Sequence, residues 1–263
     1  MPRDWTSYDS AAATHDRLGV PALFERPARE LAARMNFAAA RAALDVGTGS
    51  GIIASQAVGV CPLVVAIDPS VEMVRTARRN GIANVAAAVA PGLPFRDGAF
   101  DRVTSGFVLS HVPDYRAALA DMVRVVERGG LVGATAWGPL RTPYRDTWDA
   151  IVERFVDAAA VRAANTRFIP WEEWLGDPEH LREALVGGGL ADVRVDSVEC
   201  PVHITIDAFL AIRENSGTAR FLRTQVDDDG WERFRAMCQE DFHARFRDPI
   251  DHARVALVGV GRR

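Results

Sequence analysis

The sequence contains no lysine: all 31 of its Lys and Arg positions are arginine. A phosphate-gripping loop built around a lysine and a Schiff-base enzyme are therefore both excluded. Cysteine is scarce too. Cys61, Cys200 and Cys238 are odd in number and far apart, which argues against a disulfide framework and against a local metal motif, so no metal is expected. A reducing cytoplasm is the natural setting for such a chain. No stretch approaches the roughly 18 apolar residues needed to span a bilayer, and no membrane partner is expected. The start, MPRDWTSYDS, lacks the basic-then-apolar pattern of a secretion signal. Strong charge is also missing. A net charge of −4 gives no electrostatic reason to expect a nucleic-acid partner. Repeats and low-complexity tracts are absent, and nothing in the sequence signals an oligomeric state. What remains is the balance of a globular protein, with 263 residues of which 48% are hydrophobic and 25% charged. That suits one large domain carrying sub-domain insertions.

From about residue 41 to 137, short apolar runs alternate with helix-like segments. Ala42 to Val46 reads as a strand, and Gly51 to Val60 as a helix opened by glycines. LVVAI at 63–67 reads as a second strand, and 70–80 as a helix capped by Ser70. Further strands are expected at 84–89, 100–107 and 131–136, with a helix over 114–126. Strand and helix in regular succession predict an α/β fold with a doubly wound, mostly parallel sheet. After Trp137 the pattern changes. Residues 140–186 and 206–250 read as helical insertions, separated by a strand at 193–198 that runs on toward 206. A last strand is expected at 253–260, and residues 1–40 read as N-terminal helices.

The stretch LDVGTGSGII, residues 44–53, carries an aspartate and three glycines at alternate positions. In an open parallel sheet, ligands sit beyond the carboxyl ends of the strands, where the strand order reverses. Gly47, Gly49 and Gly51 fall there, and glycine lets the backbone turn sharply and approach a ligand closely. Asp68 ends the second strand, where a carboxylate can accept from both ribose hydroxyls of a nucleoside. Read from Gly49, with Gly51 and Ala54, the spacing also admits the dinucleotide fingerprint, so a nicotinamide cofactor stays open on spacing. Asp45 speaks against it, because a carboxylate beside the loop repels a pyrophosphate and suits a ligand bearing an amino group and a sulfonium.

LDVGTGSG followed by VVAIDPSVEMVRTAR resembles motifs I and II of the class I S-adenosylmethionine-dependent methyltransferases. The later run from LPFRDGAFD to ERGGLV is similar to the small-molecule branch, methyltransferase type 11, related to ubiquinone-biosynthesis enzymes. The resemblance covers roughly residues 40–137. It implies a seven-stranded Rossmann-like sheet with one antiparallel strand, S-adenosylmethionine as cofactor, and a small, fairly apolar methyl acceptor. Oxygen or nitrogen is the favoured methylated atom, with carbon left open by the sequence. Carried over, it puts Gly47, Gly49 and Gly51 around the methionine part, Asp45 toward the ammonium group and Asp68 on the ribose. Pro69 and Met73 would lie beside adenine. Val89 stands where the branch usually has an aspartate for the adenine amino group, leaving the Ala90 amide to donate to the ring. Losing that bond costs about 0.5–1.5 kcal/mol.

His111, in the context SHVPD after the fourth strand, is the candidate general base; the bland alternative is a histidine packed beside the cofactor. His15, His203 and His243 are further candidates for the pocket. Tyr8 and Asp9 resemble an aromatic lid helix common in this branch. Trp148, Phe155, Phe168, Trp171 and Trp174 read as one small helical core that can also roof an apolar acceptor pocket. Arg141, Arg145 and Arg167 are candidate anion contacts. A binding protein that has lost transfer and a nicotinamide-dependent oxidoreductase are the alternative functions.

Overall fold

A computed structural model describes residues 6–139 and 142–263. Arg141, one of the candidate anion contacts, lies outside the described residues. The sheet has seven strands: β1 (Ala42–Val46), β2 (Leu63–Asp68), β3 (Asn84–Ala87), β4 (Phe100–Gly106), β5 (Val126–Trp137), β6 (Ala191–Ile204) and β7 (Ile250–Arg262). Their order is β3-β2-β1-β4-β5-β7-β6. The first five are parallel, while β7 runs antiparallel to both β5 and β6. The chain winds outward from β1 to β3, then returns to the centre as β4. The strand order therefore reverses between β1 and β4, and the crevice opens beyond their carboxyl ends.

Helices cover both faces because β1 to β5 are apolar on both sides. One face receives α5 (Tyr115–Val125) and α9 (Pro178–Gly187), whose Leu119, Met122, Leu181 and Leu185 bury completely against β1, β4, β5 and β7. The other receives α2 (Glu25–Met35), α3 (Ile52–Ala57) and α4 (Val71–Arg79) through Leu31, Met35, Ile53 and Ala77. Each fully buried Leu or Met contributes about 1.5–3 kcal/mol relative to exposure. Upstream of α2 the chain makes a short helix α1 (Ala12–Thr14) and a wide π-type segment, His15–Phe24.

β6 and β7 overshoot the sheet. Their far ends, with Val202, Ile204 and Ile250, floor a second core formed with α6 (Pro143–Val152), α10 (Ile206–Glu214), α11 (Gly217–Gln225) and α12 (Asp228–Arg245). Trp148, Phe234 and Phe242 are fully buried there. Between α6 and α9 run α7 (Ala158–Phe168) and α8 (Glu172–Leu175). Side-chain oxygens start all of these helices but α8: Thr142, Asp157, Asp177, Thr205, Ser216 and Asp227 each accept an N–H from the first turn.

Several boundaries differ from the sequence expectation. The last strand begins at Ile250 and ends at Arg262, beyond 253–260 on both sides, because it pairs along its length with β6. β3 stops at Ala87, and Val89 is 57% exposed. The aromatic residues expected as one cluster divide. Trp148 and Phe155 pack on Phe234 in the cap, whereas Trp171 and Trp174 pack on Tyr115 against the main sheet. Phe168 belongs to neither and meets Tyr8 and His111.

Candidate functional site

Beyond β1 the chain turns through Gly47, Gly49 and Gly51, with φ of +70°, +56° and +95°. All three occupy the left-handed region that favours glycine, but their surroundings differ. A Cβ on Gly47 would lie 2.3 Å from Val108 Cγ2, and one on Gly51 2.8 Å from Ile82 Cγ1. The protein's own packing requires these two. A Cβ on Gly49 would meet only His15 Nε2, at 3.6 Å, so this glycine keeps the cleft itself open. The amides of Gly47 and Thr48 both donate to the Ile67 carbonyl, at 2.8 and 2.9 Å, which ties the loop to β2.

Asp45, at the end of β1, is 3% exposed. Thr48 Oγ1 donates to its Oδ2 and Thr104 Oγ1 to its Oδ1, each at 2.8 Å. Burial pushes its pKa up to about 6, against the pull of those two hydroxyls. Its carboxylate thus braces the loop between β1 and β4. It also lines the cleft. Sequence reasoning missed the two threonines, since only the register of β4 on β1 brings Thr104 opposite Asp45.

Asp68, 7% exposed, ends β2. Its Oδ2 accepts from the Gly49 amide and its Oδ1 from the Ser70 amide, both at 2.8 Å. Burial raises its pKa, and the two backbone bonds oppose the rise. A carboxylate offers about four acceptor sites, so one on each oxygen remains for a vicinal diol. Ser70 also caps α4 by accepting from the Met73 amide at 3.1 Å. Its hydroxyl donates to Asp9 Oδ1 at 2.5 Å, fastening the N-terminal segment to the start of α4. Asp9 is held below the usual carboxylate range, chiefly by that bond. Pro69, Met73, Val89 and Ala90 continue the cleft wall.

Tyr8 stands edge-on to His111 with centroids 5.6 Å apart, and Phe168 lies 5.2 Å from His111. The Arg220 guanidinium covers Tyr8 and Phe168 at 4.9 and 5.0 Å. Enclosure in this cage lowers the His111 pKa to about 4 and raises that of Tyr8 to about 12. His111 is neutral at physiological pH and a weak base, an environment that suits packing better than proton abstraction. His15 lines the cleft against Phe24, and burial lowers its pKa as well. His203 and His243 are elsewhere, half to mostly exposed and facing Asp251 and Asp207.

The cleft's far wall comes from the cap. Trp137, the last residue of β5, stacks on Phe107 at 4.3 Å, and the Arg254 guanidinium sits 3.6 Å from the Trp137 centroid. Arg213 lies over Trp148 at 5.3 Å and 3.7 Å from Asp149, which also faces Arg145 at 3.4 Å. Arg145 and Arg167 do line the cleft. Trp137, Arg213 and Arg254 were not foreseen. An arginine within the apolar run ARVALVGV was the available signal for Arg254. The whole cleft measures about 1520 Å³, beyond the roughly 300–1,000 Å³ of a single-ligand site. It has room for two molecules. Among the described residues, no group of three His, Cys, Asp or Glu could hold a metal ion, and no helix is long and apolar enough to cross a membrane.

The sequence model of a family described as a methyltransferase domain matches residues 44–133. Demethylmenaquinone methyltransferase of Shouchella clausii is 34% identical over 192 residues, covering 66% of this chain and 81% of that protein. Other demethylmenaquinone methyltransferases are matched over 40% to 52% of their length. Among solved structures, the YcgJ protein of Bacillus subtilis superposes with a TM-score of 0.57 at 19% identity, over 90% of this chain and 99% of that one. A phosphoethanolamine N-methyltransferase of Haemonchus contortus, solved with phosphomonomethylethanolamine and S-adenosylhomocysteine, gives 0.57 at 17% identity, over 97% of this chain and 57% of that one. At these identities the structures speak for the fold.

Proposed function

This chain belongs to the S-adenosylmethionine-dependent methyltransferases, and from that premise we propose that it methylates the oxygen or nitrogen of a small molecule enclosed between the sheet and the helical cap. One observation carries the site assignment. At the reversal of strand order, a bare glycine backbone and a carboxylate with one spare acceptor site per oxygen face a cleft large enough for a second ligand. Gly47, Gly49 and Gly51 would pass the methionine portion, Asp68 would accept from the ribose hydroxyls, and Pro69, Met73, Val89 and Ala90 would border adenine. Asp45 would set the electrostatics for the ammonium group while holding Thr48 and Thr104. Bound S-adenosylmethionine supplies an electrophilic methyl group on a sulfonium.

The chain's own part is to bring the acceptor in line and to exclude water. The N-terminal segment serves as a lid, with Asp9 latched to Ser70 and Tyr8, His15 and Phe24 lining the cleft. His111, with a pKa near 4, fits a packing role, so the acceptor atom arrives as a ready nucleophile such as a neutral amine or a phenolate. Cap residues that line the cleft, Arg145 and Arg213 among them, would govern acceptor choice. Three free, buried cysteines and a net charge of −4 fit a cytoplasmic enzyme without a nucleic-acid partner.

Titration calorimetry with S-adenosylmethionine, S-adenosylhomocysteine and NAD tests the cofactor site, with heat expected from the first two only. Asp68→Ala should weaken both by at least about tenfold, the equivalent of 1.4 kcal/mol; unchanged affinity would remove Asp68 from the ribose. Transfer of labelled methyl to a panel of phenols, amines and carboxylic acids then distinguishes an enzyme from a protein that only binds.

A further inference from the structure

Arginine in a protein interior normally finds a carboxylate or several carbonyls, because its five donors are costly to leave unmet. Arg254 does not. Its Nε is buried without a hydrogen-bond partner, and among the described residues its guanidinium forms no salt bridge. The face of Trp137 holds it at 3.6 Å, and Phe107 backs that ring from the rim of the glycine loop. Arg213 repeats the pattern. Its Nε is also buried and unpartnered, and its nearest carboxylate, Asp149, is shared with Arg145. Three guanidiniums therefore face one wall of the cleft with a single paired acid among them. The other acid that acts on Arg254 and Arg213, Glu172, lies beyond ion-pair distance of either. Burial and mutual repulsion depress both arginines, Arg254 to about 9 and Arg213 to about 10. Such an arrangement is costly when empty and relieved by an anion.

We infer that the methyl acceptor carries an oxyanion, a carboxylate or a phosphate, which the Arg254 guanidinium binds with Arg213 and Arg145 behind it. This deepens the methyltransferase reading and rests on it. Planar guanidinium forks match carboxylate and phosphate geometry in two parallel bonds. Trp137 and Phe107 link the anion site to the glycine loop, so the charged end of the acceptor is anchored in the cap. Its nucleophilic end then points toward the cofactor half of the cleft. An apolar body between the two ends satisfies the aromatic lining.

The test uses the full chain saturated with S-adenosylhomocysteine and four probes: benzoate, phenyl phosphate, benzamide and benzylamine. Calorimetry should show an oxyanion binding at least about tenfold more tightly than benzamide, and the stronger of benzoate and phenyl phosphate identifies the group. Arg254→Gln should abolish that preference while leaving the affinity for S-adenosylhomocysteine within about twofold. Because it removes an unpaired buried charge, the same variant should melt no lower than wild type without ligand. A structural arginine would instead lower the melting temperature when replaced. Equal binding of benzamide, preference for benzylamine (which would point to Glu172), no heat from either oxyanion at millimolar concentration, or an oxyanion preference surviving in Arg254→Gln would each overturn the inference. Failure of S-adenosylhomocysteine to bind would instead strike the underlying cofactor reading, so the two failures are distinguishable.

Discussion

Replacing Asp45 by asparagine should stabilise the ligand-free protein at neutral pH while weakening its hold on a cationic cofactor. The carboxyl is 3% exposed and its pKa is raised from 3.8 to about 6, mainly by burial. A shift of about two units corresponds to about 3 kcal/mol by which the ionised form opposes folding. The folded state holds this proton more tightly than the unfolded chain, so stability is greatest below the unfolded pKa. It declines as pH rises through roughly 4 to 6 and is flat above. Asparagine carries no charge and can still accept from one of Thr48 and Thr104 while donating to the other. One charge-assisted bond is weakened, which costs about 1–2 kcal/mol and leaves a net gain of about 1–2 kcal/mol at pH 7.5. For a chain of this size that is a rise of about 2–8 °C in melting temperature. At pH 4.5 the wild-type penalty shrinks to about 1 kcal/mol, and the advantage should vanish. Differential scanning calorimetry at both pH values reads the difference, and titration with S-adenosylhomocysteine should show weaker binding by Asp45→Asn at pH 7.5. A variant that melts lower than wild type at pH 7.5, or by the same margin at both pH values, would refute the reasoning.

Gly47→Ala places a methyl group 2.3 Å from Val108 at φ +70°, and denaturant melts should show a loss of about 2–4 kcal/mol from overpacking and backbone strain together. Gly49→Ala, whose nearest neighbour is His15 at 3.6 Å, should lose only the strain component, about 1–2 kcal/mol, and show its main effect in cofactor affinity. For His111, a pKa near 4 means that kcat should show no histidine limb between pH 5.5 and 8. Its replacement by asparagine should leave the shape of that profile intact; a limb near neutrality that disappears in the variant would restore His111 as the general base.

Much of the cofactor half was legible because local chemistry dictates it. Apolar runs separated by helical segments force a doubly wound parallel sheet, and the glycines and the strand-ending Asp68 report a close backbone approach wherever the sheet closes. The cap was less legible. Trp148 and Trp174 look alike in sequence, yet one fills the cap and the other flanks Tyr115, because sequence spacing does not say which of two cores a helix faces. His203 and His243, plausible on paper, face outward beside acids, while Arg254, hidden in an apolar strand, faces inward.

By itself the sequence determined the parallel sheet, the crevice at its reversal and the residues of the glycine loop, since periodicity and glycine's conformational freedom act over a few neighbours. Tertiary structure alone decided that Asp45 braces two threonines, that His111 sits neutral in an aromatic cage, and that Arg254 on β7 meets Trp137 on neighbouring β5. Those outcomes depend on burial and on contacts between segments distant in sequence, such as β1 with β4 and β5 with β7. The free energy of a charge is set by what surrounds it in space.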